Sequence, residues 1–345
     1  MSVEIPTDIS ARMRSILRQS SRKPAEKLNI LCSSVHERVQ SHFAKAGHNC
    51  YLVHLSNFKD WDEKYAPIPK NFTLFNRSKD VHQIIKDVDY DVILSENRFG
   101  QWQFFNEIRK VYHIPMIQFE HTQPYSTWSA EQFKQMSQCG GDYNGFITEY
   151  SRDSWGYNSD NSVVIGHMVD TDIFCPDENV AKEKVIGSVV NDFINRNQPC
   201  GYDLWKDVTG GLPTKHVGTT PGLSEAAKNI DDLINHYRKS QIFINTSLIS
   251  PIPCAVLEAA ACGCAIVTTA TCALPEYFQD EINCFMTNDQ TLMRKRIKQL
   301  LDDPKLCKEL GDNARKMVIE KCGEEQYIKK WNDLLYKAAN KTFIG

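Results

Sequence analysis

The feature of this 345-residue chain that most constrains its fold is a repeated alternation of short apolar runs and amphipathic helical patterns. The apolar run Leu28–Cys32 is followed by a helical pattern over residues 35–46 and then by a second apolar run, Cys50–His54. We expect Ser33-Ser34 to cap this helix and Gly47 to end it. A strand, a helix and a strand in such close succession form a βαβ unit, which requires parallel pairing of the two strands.

The same alternation continues along the chain in two successive sets. The first set adds strands near 92–94, 115–119, 145–148 and 163–165, with helices near 80–87 and 102–112. The second set has strands at 185–190, 215–218, 242–245 and 265–268, with helices at 223–238, 255–262, 289–301, 303–320 and 324–340. Two such sets predict two doubly wound parallel sheets that face each other across a cleft, with ligands at the carboxyl ends of the strands.

This organisation predicts four segments. They are a basic arm at 1–27, a first domain at 28–170, a second domain at 171–323 and a C-terminal helix at 324–345 that packs back on the first domain. We expect the arm to be a solvated helix or a frayed terminus. Ile16 and Leu17 offer little apolar surface in it, so we expect no membrane anchor.

Composition narrows the class of protein further. The chain is 41% hydrophobic and 24% charged, which is typical of a globular protein, and its formal net charge of −3 excludes a global attraction to polyanions. Twelve cysteines occur without any CxxC pair, and no apolar run is long enough to span a membrane. We therefore expect reduced cysteines and a cytoplasmic protein.

The second half of the chain contains motifs that are similar to those of a known protein family. The run from Pro253 to Val267 reads PCAVLEAAACGCAIV, and it is followed by Leu274-Pro-Glu276 and Asn283-Cys-Phe285. This pattern resembles the Leu-Glu-Ala signature of the large retaining glycosyltransferase family 4-like group with the GT-B fold. Ala46-Gly47-His48, His121 and the segment 166–176 are similar to other motifs of that family and occur in the same order.

The resemblance implies an α/β GT-B protein with two Rossmann-like domains. It implies transfer of a sugar from a nucleotide diphosphate sugar, with a UDP-sugar favoured, to a hydroxyl with retention of configuration. No metal and no cofactor other than the nucleotide-sugar co-substrate are expected. Glu258 would accept hydrogen bonds from the ribose, and the N-terminus of its helix, beside Val256 and Leu257, would hold the diphosphate. The alternative interpretation is that Glu258 is an exposed helical glutamate without a role in binding.

Two departures from the family pattern affect the donor site. The family carries a second glutamate eight positions before Glu258, and this chain has Ser250 there, which implies an unusual donor sugar or lost activity. Of the family's two cations near the leaving group, only Arg196 is matched, and the other position falls on Asn191 or Asp192. A non-catalytic sugar-nucleotide-binding protein is therefore a rival hypothesis.

Further site residues follow from the same resemblance. His121 would contact the donor sugar and act with Arg196 as a catalytic residue, although both have a structural alternative. Ser34, which follows the first strand of the first set, and Gly218, which ends the second strand of the second set, are expected at the donor site. Asp89-Tyr-Asp91 has the spacing of a metal-binding DxD motif, but its position favours a polar lead-in to the next strand.

The sequence does not identify the acceptor of the transferred sugar. The loops of the first domain mix aromatic and basic side chains, namely Trp61, Lys64, Tyr65, Lys70, Phe72, Phe75, Arg77, Lys79, Arg98, Trp102, Tyr125 and Trp128. Together with the basic arm, this mixture is compatible with a phage-type enzyme that glycosylates hydroxymethylcytosine in DNA. A saccharide, lipid-linked or small-molecule acceptor is the alternative.

Overall fold

The computed structural model of the chain describes residues 8–53, 60–75, 86 and 88–340. Two compact units are formed. The first contains Met1–Ile147, Arg152–Ile165 and Glu325–Gly345, and the second contains Thr148–Ser151 and Gly166–Glu324. Each unit is an α/β structure in its own right.

Helices and strands alternate along the described chain. Up to residue 165 they are α1 (Ile9–Ser21), β1 (Asn29–Ser33), α2 (Glu37–Ala44), β2 (Asn49–Val53), β3 (Phe72–Leu74), β4 (Val92–Ser95), α3 (Gln101–Tyr112), β5 (Met116–Glu120), α4 (Ala130–Ser137), β6 (Tyr143–Phe146), α5 (Glu149–Ser154) and β7 (Ser162–Val164). Beyond it they are β8 (Glu183–Val189), α6 (Asn197–Cys200), α7 (Tyr202–Thr209), β9 (Thr214–Val217), α8 (Ile230–Lys239), β10 (Ser240–Asn245), α9 (Cys254–Ala261), β11 (Ala265–Thr268), α10 (Leu274–Tyr277), β12 (Phe285–Met286), α11 (Gln290–Asp302), α12 (Pro304–Lys321) and α13 (Glu324–Ala339).

The sheet of the first unit has, within the described residues, seven strands in the order β3-β2-β1-β4-β5-β6-β7. Every neighbouring pair is parallel. The strand order reverses between β1 and β4, and doubly wound sheets bind ligands in the crevice that such a reversal leaves at the carboxyl edge. The residues that follow β1, β4 and β5 are therefore placed at a binding edge.

Both faces of this sheet are covered, as parallel sheets require. On one face, Ile93 of β4 and Met116 of β5 share an apolar core with helix α3. On the opposite face, the indole of Trp331 in α13 contacts the rings of Phe43 and Phe119, with centroids 4.7 and 4.6 Å apart. Since α13 belongs to the first unit, the last helix of the chain completes the core of the first sheet.

Helix α1 is docked on the first unit rather than solvated or frayed, so the expectation for the described part of the arm is wrong. Ala11 lies in the core of the unit. Arg18 and Arg22 each donate two hydrogen bonds to the fully buried carboxylate of Asp91, at 2.7–3.1 Å. The backbone N–H of Asn29 donates a further bond to Asp91, at 2.7 Å. Asp91 thus joins α1, β1 and the start of β4.

The sheet of the second unit has, among the residues described, five strands in the order β12-β11-β10-β8-β9, and all pairs are parallel. The order reverses between β8 and β10. Its carboxyl edge carries the loops after these two strands and the start of α9, because a helix that follows a parallel strand begins at that edge. The predicted pair of doubly wound sheets is confirmed.

Some local predictions fail for identifiable reasons. Ser33 and Ser34 do not cap α2: Ser33 is still part of β1, and the helix starts one turn later, with His36 at the N-cap. The helix predicted at 223–238 begins only at Ile230, because the Asn229 side chain caps it by accepting a bond from the N–H of Asp232. The helix predicted near 80–87 lies, except for residue 86, outside the described residues.

The sequence pattern did not predict several short elements, namely β3, α4, α5, α6, α7, α10 and β12. Helix α4 shows why, since it has no buried residue and therefore no apolar stripe that a periodicity argument could detect. Its start is instead set by a capping box between Ser129 and Gln132.

The buried carboxylate of Asp91 generates a stability prediction. Asp91→Ala leaves the buried guanidinium of Arg22 without its charged partner, so we expect a loss of about 3–5 kcal/mol in the free energy of unfolding, measured by urea denaturation. The matched control is Asp89→Ala, because the side chains of Arg14 and Asp89 in that ion pair are 41% and 39% exposed. This variant should lose about 0–1 kcal/mol in the free energy of unfolding. Equal losses in the two variants would contradict this account.

Candidate functional site

Helix α9 opens at the carboxyl edge of the second sheet without a side-chain cap. It follows Pro253, which makes no capping hydrogen bond. The first N–H groups of a helix lack partners within the helix, and they carry its positive dipole end. This end of α9 is therefore suited to an anionic group such as a phosphate.

Glu258 lies one turn further along α9 and is held by a partner that the sequence did not reveal. Its residue surface is only 6% exposed, and its Oε2 accepts a hydrogen bond from the hydroxyl of Tyr237 at 2.8 Å. Tyr237 belongs to α8, is fully buried and packs against Phe174 and Phe243. The carboxylate thus has a fixed orientation in a largely water-excluded position.

Val256 and Leu257, predicted at the donor site, have completely buried side chains. They belong to the run of α9 residues that packs into the second unit. Any contact they make with a ligand is therefore limited to their backbone groups.

The loop that carries Ser250 is held in place from two sides. The carbonyl of Ser247 accepts hydrogen bonds from the hydroxyls of Thr269 and Thr271, both at 2.7 Å. The N–H groups of residues 248 and 249 donate to the carbonyl of Pro199, at 2.9 and 3.0 Å. Ser250 itself is half-buried, between this anchored stretch and the start of α9.

Three predicted donor-site residues, Asn191, Arg196 and Gly218, lie close together in the loops after β8 and β9. Asn191 Oδ1 accepts a bond from the N–H of Thr219 at 2.9 Å, and its carbonyl oxygen lies 3.4 Å from the exposed guanidinium of Arg196. Gly218 has φ of +148°, and a Cβ there would lie 2.0 Å from the carbonyl oxygen of Val190. Only glycine fits this crossing of the two loops.

Two histidines that the sequence analysis did not select lie in the same unit. His216 Nε2 donates to the carbonyl of Val190 at 3.1 Å, so Nδ1 accepts from the hydroxyl of Ser188 at 2.8 Å, and the ring is neutral. Burial lowers the pKa of His216 to about 4, and burial, aided by Lys215, lowers the pKa of His236 to about 4 as well. The neutral ring of His216 therefore holds the loop after β8 in place through its hydrogen bonds to Ser188 and Val190.

In the first unit, His121 follows β5 at the carboxyl edge. Its Nε2 lies 3.1 Å from Oε1 of Glu96, which follows β4. The second oxygen of Glu96 accepts from the side-chain amide of Gln40 at 2.9 Å, and this amide also donates to the carbonyl of Ser33 at 2.7 Å. The ends of β1, β4 and β5 are thus joined by one polar network, of which the sequence indicated only His121.

Neutral polar atoms are buried at the same edge. Within the described part of the chain, the hydroxyls of Ser33, Ser34 and Ser95 and the amide of Gln118 have no hydrogen-bond partner. Ser95 and Gln118 are paired in register on neighbouring strands, so their side chains share one face. Buried polar groups without partners carry a free-energy cost, which a ligand or an ordered water relieves.

The aromatic and basic residues of the first unit separate into two sets. The exposed rings of Phe99 and Tyr125, 41% and 51% accessible, contact Trp128 at 5.8 and 5.3 Å between centroids. Arg98, in contrast, has a fully buried side chain that donates to Glu120 at 3.0 Å and lies over Trp155. Arg98 is therefore a structural cation and is not available to an acceptor, unlike the exposed members of the predicted aromatic and basic set. Two further basic residues of the predicted set, Arg77 and Lys79, lie outside the described residues.

Metal sites and membrane-spanning helices are not indicated by the residues that the structure describes. No group of three or more His, Cys, Asp or Glu side chains among them is arranged to hold a metal ion. None of the helices in this part of the chain combines the length and the apolar character needed to cross a bilayer.

Comparison with known proteins agrees with this geometry. Residues 226–317, which include Ser250 and Glu258, match the family described as glycosyl transferases group 1. No curated protein matches the chain in sequence. Solved structures do match it over nearly its full length. The chain has the GT-B fold.

Three of these structures illustrate the similarity. HepE of Anabaena, solved in complex with UDP-glucose, has a TM-score of 0.72 at 13% identity, covering 90% of this chain and 100% of HepE. A glycosyltransferase from Rickettsia africae has a TM-score of 0.64 at 14% identity, covering 91% and 99%. Sucrose-phosphate synthase from Thermosynechococcus elongatus has a TM-score of 0.71 at 12% identity, covering 90% and 99%. The three structures share the fold of this chain, and the group 1 match of residues 226–317 supports a glycosyltransferase.

The two histidines of the second unit whose pKa is lowered, His216 and His236, generate a pH prediction. Between about pH 6.5 and pH 4 the unfolded chain binds protons that the folded chain excludes, so the free energy of unfolding falls as the pH is lowered through this range. Each histidine contributes a slope of up to about 1.4 kcal/mol per pH unit. Urea denaturation at several pH values measures this dependence of the free energy of unfolding on pH.

The variant His236→Gln isolates one of these contributions. A glutamine side chain cannot titrate, so the dependence of unfolding free energy on pH should be shallower in the variant than in the parent chain. Identical slopes would show that His236 takes up a proton as readily in the folded chain as in the unfolded one.

Proposed function

We propose that this protein transfers a sugar from a nucleotide diphosphate sugar to a hydroxyl group of an acceptor. The observation that carries the proposal is the position of Glu258: a buried carboxylate, oriented by Tyr237, on a helix whose uncapped N-terminus opens at the carboxyl edge. This helix lies in the segment that matches glycosyl transferases group 1. A carboxylate accepts hydrogen bonds from a ribose diol, and a helix N-terminus binds a diphosphate.

On the donor side, each group has a distinct role in this proposal. Glu258 binds the ribose, and the first N–H groups of α9 bind the diphosphate together with Arg196, whose exposed guanidinium lies at the same edge. This positive charge stabilises the leaving nucleotide as the glycosidic bond breaks. Asn191 and Gly218 shape the adjoining loop, and Ser250 faces the sugar. A uridine nucleotide is favoured because the similar HepE was solved with UDP-glucose and with UDP.

On the acceptor side, we propose that His121 contacts the transferred sugar and that Ser34 lies at the edge of the site. Glu96 holds the His121 ring from one side, at 3.1 Å. Retention of configuration is part of the proposal and rests on the family resemblance alone.

A saccharide-type acceptor agrees better with the contacts than DNA does. Phe99 and Tyr125 present exposed rings for the apolar face of a sugar. Three of the cations that a DNA acceptor would use are engaged within the chain: Arg18 and Arg22 bind Asp91, and Arg98 is buried against Glu120. We therefore propose a hydroxyl acceptor that is not a polyanion.

The test of this function is turnover of a panel of UDP-, GDP- and ADP-sugars, each assayed with saccharide acceptors and with hydroxymethylated DNA. We expect a UDP-sugar to be consumed, with transfer to a saccharide. The same rate is expected in EDTA, because α9 and Arg196 neutralise the diphosphate without a metal ion.

Three outcomes would contradict parts of this scheme. Nucleotide binding without consumption of any donor would indicate a non-catalytic binding protein. Transfer to DNA alone would overturn the acceptor proposal. Complete loss of turnover in EDTA, restored by Mn²⁺, would overturn the metal-independent mechanism.

Variants of the donor site give a sharper test. Glu258→Ala removes a charged hydrogen-bond acceptor, worth roughly 1.5–3 kcal/mol, so UDP should bind about 10- to 150-fold more weakly. Tyr237→Phe keeps the ring and removes the hydroxyl that donates to Glu258, so UDP binding should weaken in the same direction by about fivefold. Isothermal titration calorimetry measures both.

Two further variants serve as controls. Ser250→Ala should leave the affinity for UDP unchanged and alter turnover or the preference among sugar donors, because Ser250 is assigned to the sugar. Glu320→Ala, on the exposed face of α12, should change neither property. Normal UDP binding by Glu258→Ala would show that the donor site lies elsewhere.

A further inference from the structure

Helix α1 presents a row of large aliphatic side chains to solvent. Ile9, Met13, Ile16 and Leu17 are 70%, 58%, 47% and 61% exposed. Their spacing of four, seven and eight positions from the first places them on one face of the helix. The sequence analysis considered only Ile16 and Leu17 and expected too little apolar surface, whereas the structure adds Ile9 and Met13 to the same stripe.

This stripe has no role in attaching α1 to the first unit. The attached face consists of Ala11 and Ser15, which are buried, and of Arg18 with its bonds to Asp91. At 100° per residue, that face lies opposite the row of aliphatic side chains. The helix is therefore held firmly by one side while its apolar side is left in water, which is unfavourable unless a partner covers it.

All charged side chains on the helix around the stripe are positive. Residues 9–23 contain Arg12, Arg14, Arg18, Arg22 and Lys23 and no acidic side chain. Arg18 and Arg22 point to Asp91 on the attached side, whereas helical spacing puts Arg12 and Arg14 on the two flanks of the stripe. The guanidinium of Arg12 contacts the ring nitrogen Nε2 of His113 and keeps its positive charge. Arg14 also pairs with Asp89 of the first unit, and both side chains of that pair remain partly exposed.

We propose that α1 is a docking surface for an anionic membrane surface. The four aliphatic side chains enter the boundary between head groups and acyl chains, and Arg12 and Arg14 meet lipid phosphates. A helix attached in this way lies in the plane of the interface and does not cross the bilayer, which agrees with the finding that no described helix can span one. The inference does not depend on the proposed transferase activity.

A second copy of the chain fits this surface less well. In a two-fold dimer the same patch meets itself, so the interface must be self-complementary. A stripe flanked by arginines, on a helix without acidic residues, would bring like charges together. A layer of lipid phosphates satisfies the arginines and the aliphatic side chains at once.

The test is co-sedimentation of the full chain with phospholipid vesicles. We expect binding to phosphatidylcholine vesicles that contain about one third phosphatidylglycerol, little binding to phosphatidylcholine alone, and weaker binding when salt is raised from about 0.1 to about 0.5 M. Replacing the stripe by Ile9→Gln, Met13→Gln, Ile16→Gln and Leu17→Gln together should lower the partition coefficient at least about tenfold.

Matched controls come from the second unit. Ile230→Gln, Leu292→Gln and Ile319→Gln together remove exposed helical aliphatic residues of 39%, 38% and 48% accessibility and should leave vesicle binding unchanged. Urea denaturation verifies that both variants fold like the parent chain.

Three results would overturn the inference. The first is the absence of binding to anionic vesicles, and the second is equal binding by the parent chain and the four-residue variant. The third is a concentration-dependent dimer, seen by analytical ultracentrifugation without lipid, that the four-residue variant abolishes, because it would identify a second copy as the partner.

Discussion

Parallel strand pairing is the constraint on which the rest of this structure depends. A chain that forms only parallel pairs must return to the starting edge after each strand, so a helix covers the sheet after most strands and the carboxyl ends collect at one edge. In the first unit this edge carries Glu96 and His121, and in the second it carries Asn191 and the start of α9. The reversal of strand order between β1 and β4, and between β8 and β10, then opens one crevice in each sheet.

The candidate site residues at these edges share a physical feature. Glu96 and Glu258 are both buried carboxylates that accept a hydrogen bond from a neutral donor, the amide of Gln40 and the hydroxyl of Tyr237 respectively. A neutral donor satisfies an oxygen atom without cancelling the charge, so the carboxylate keeps its capacity to bind a hydroxyl or an imidazole. Arg98 and Asp91 differ from these residues because each buried charge is paired with an opposite charge in the first unit, Arg98 with Glu120 and Asp91 with Arg18 and Arg22, and both serve the fold.

The departures from the family pattern lie in a well-anchored part of the molecule. Ser250 stands where the family has a carboxylate, yet the preceding loop is held by Thr269, Thr271 and the carbonyl of Pro199. The replacement therefore changes the chemistry of the position while the backbone stays supported. In the proposed function, a hydroxyl at this position would select a different hydroxyl pattern on the sugar from the one a carboxylate selects, because a hydroxyl both donates and accepts.

The sequence by itself determined the two sets of alternating elements, the parallel character of both sheets and the start of α9. These features are local: apolar periodicity and turn residues report on each segment without reference to any other. The tertiary structure decided the partners of the site residues. Tyr237 is 21 positions from Glu258, and Gln40 is 56 positions from Glu96, so no spacing in the chain connects them. The exposure of α1 and the burial of Arg98 were likewise decided only in the fold, because accessibility depends on what packs against a residue as well as on its own type.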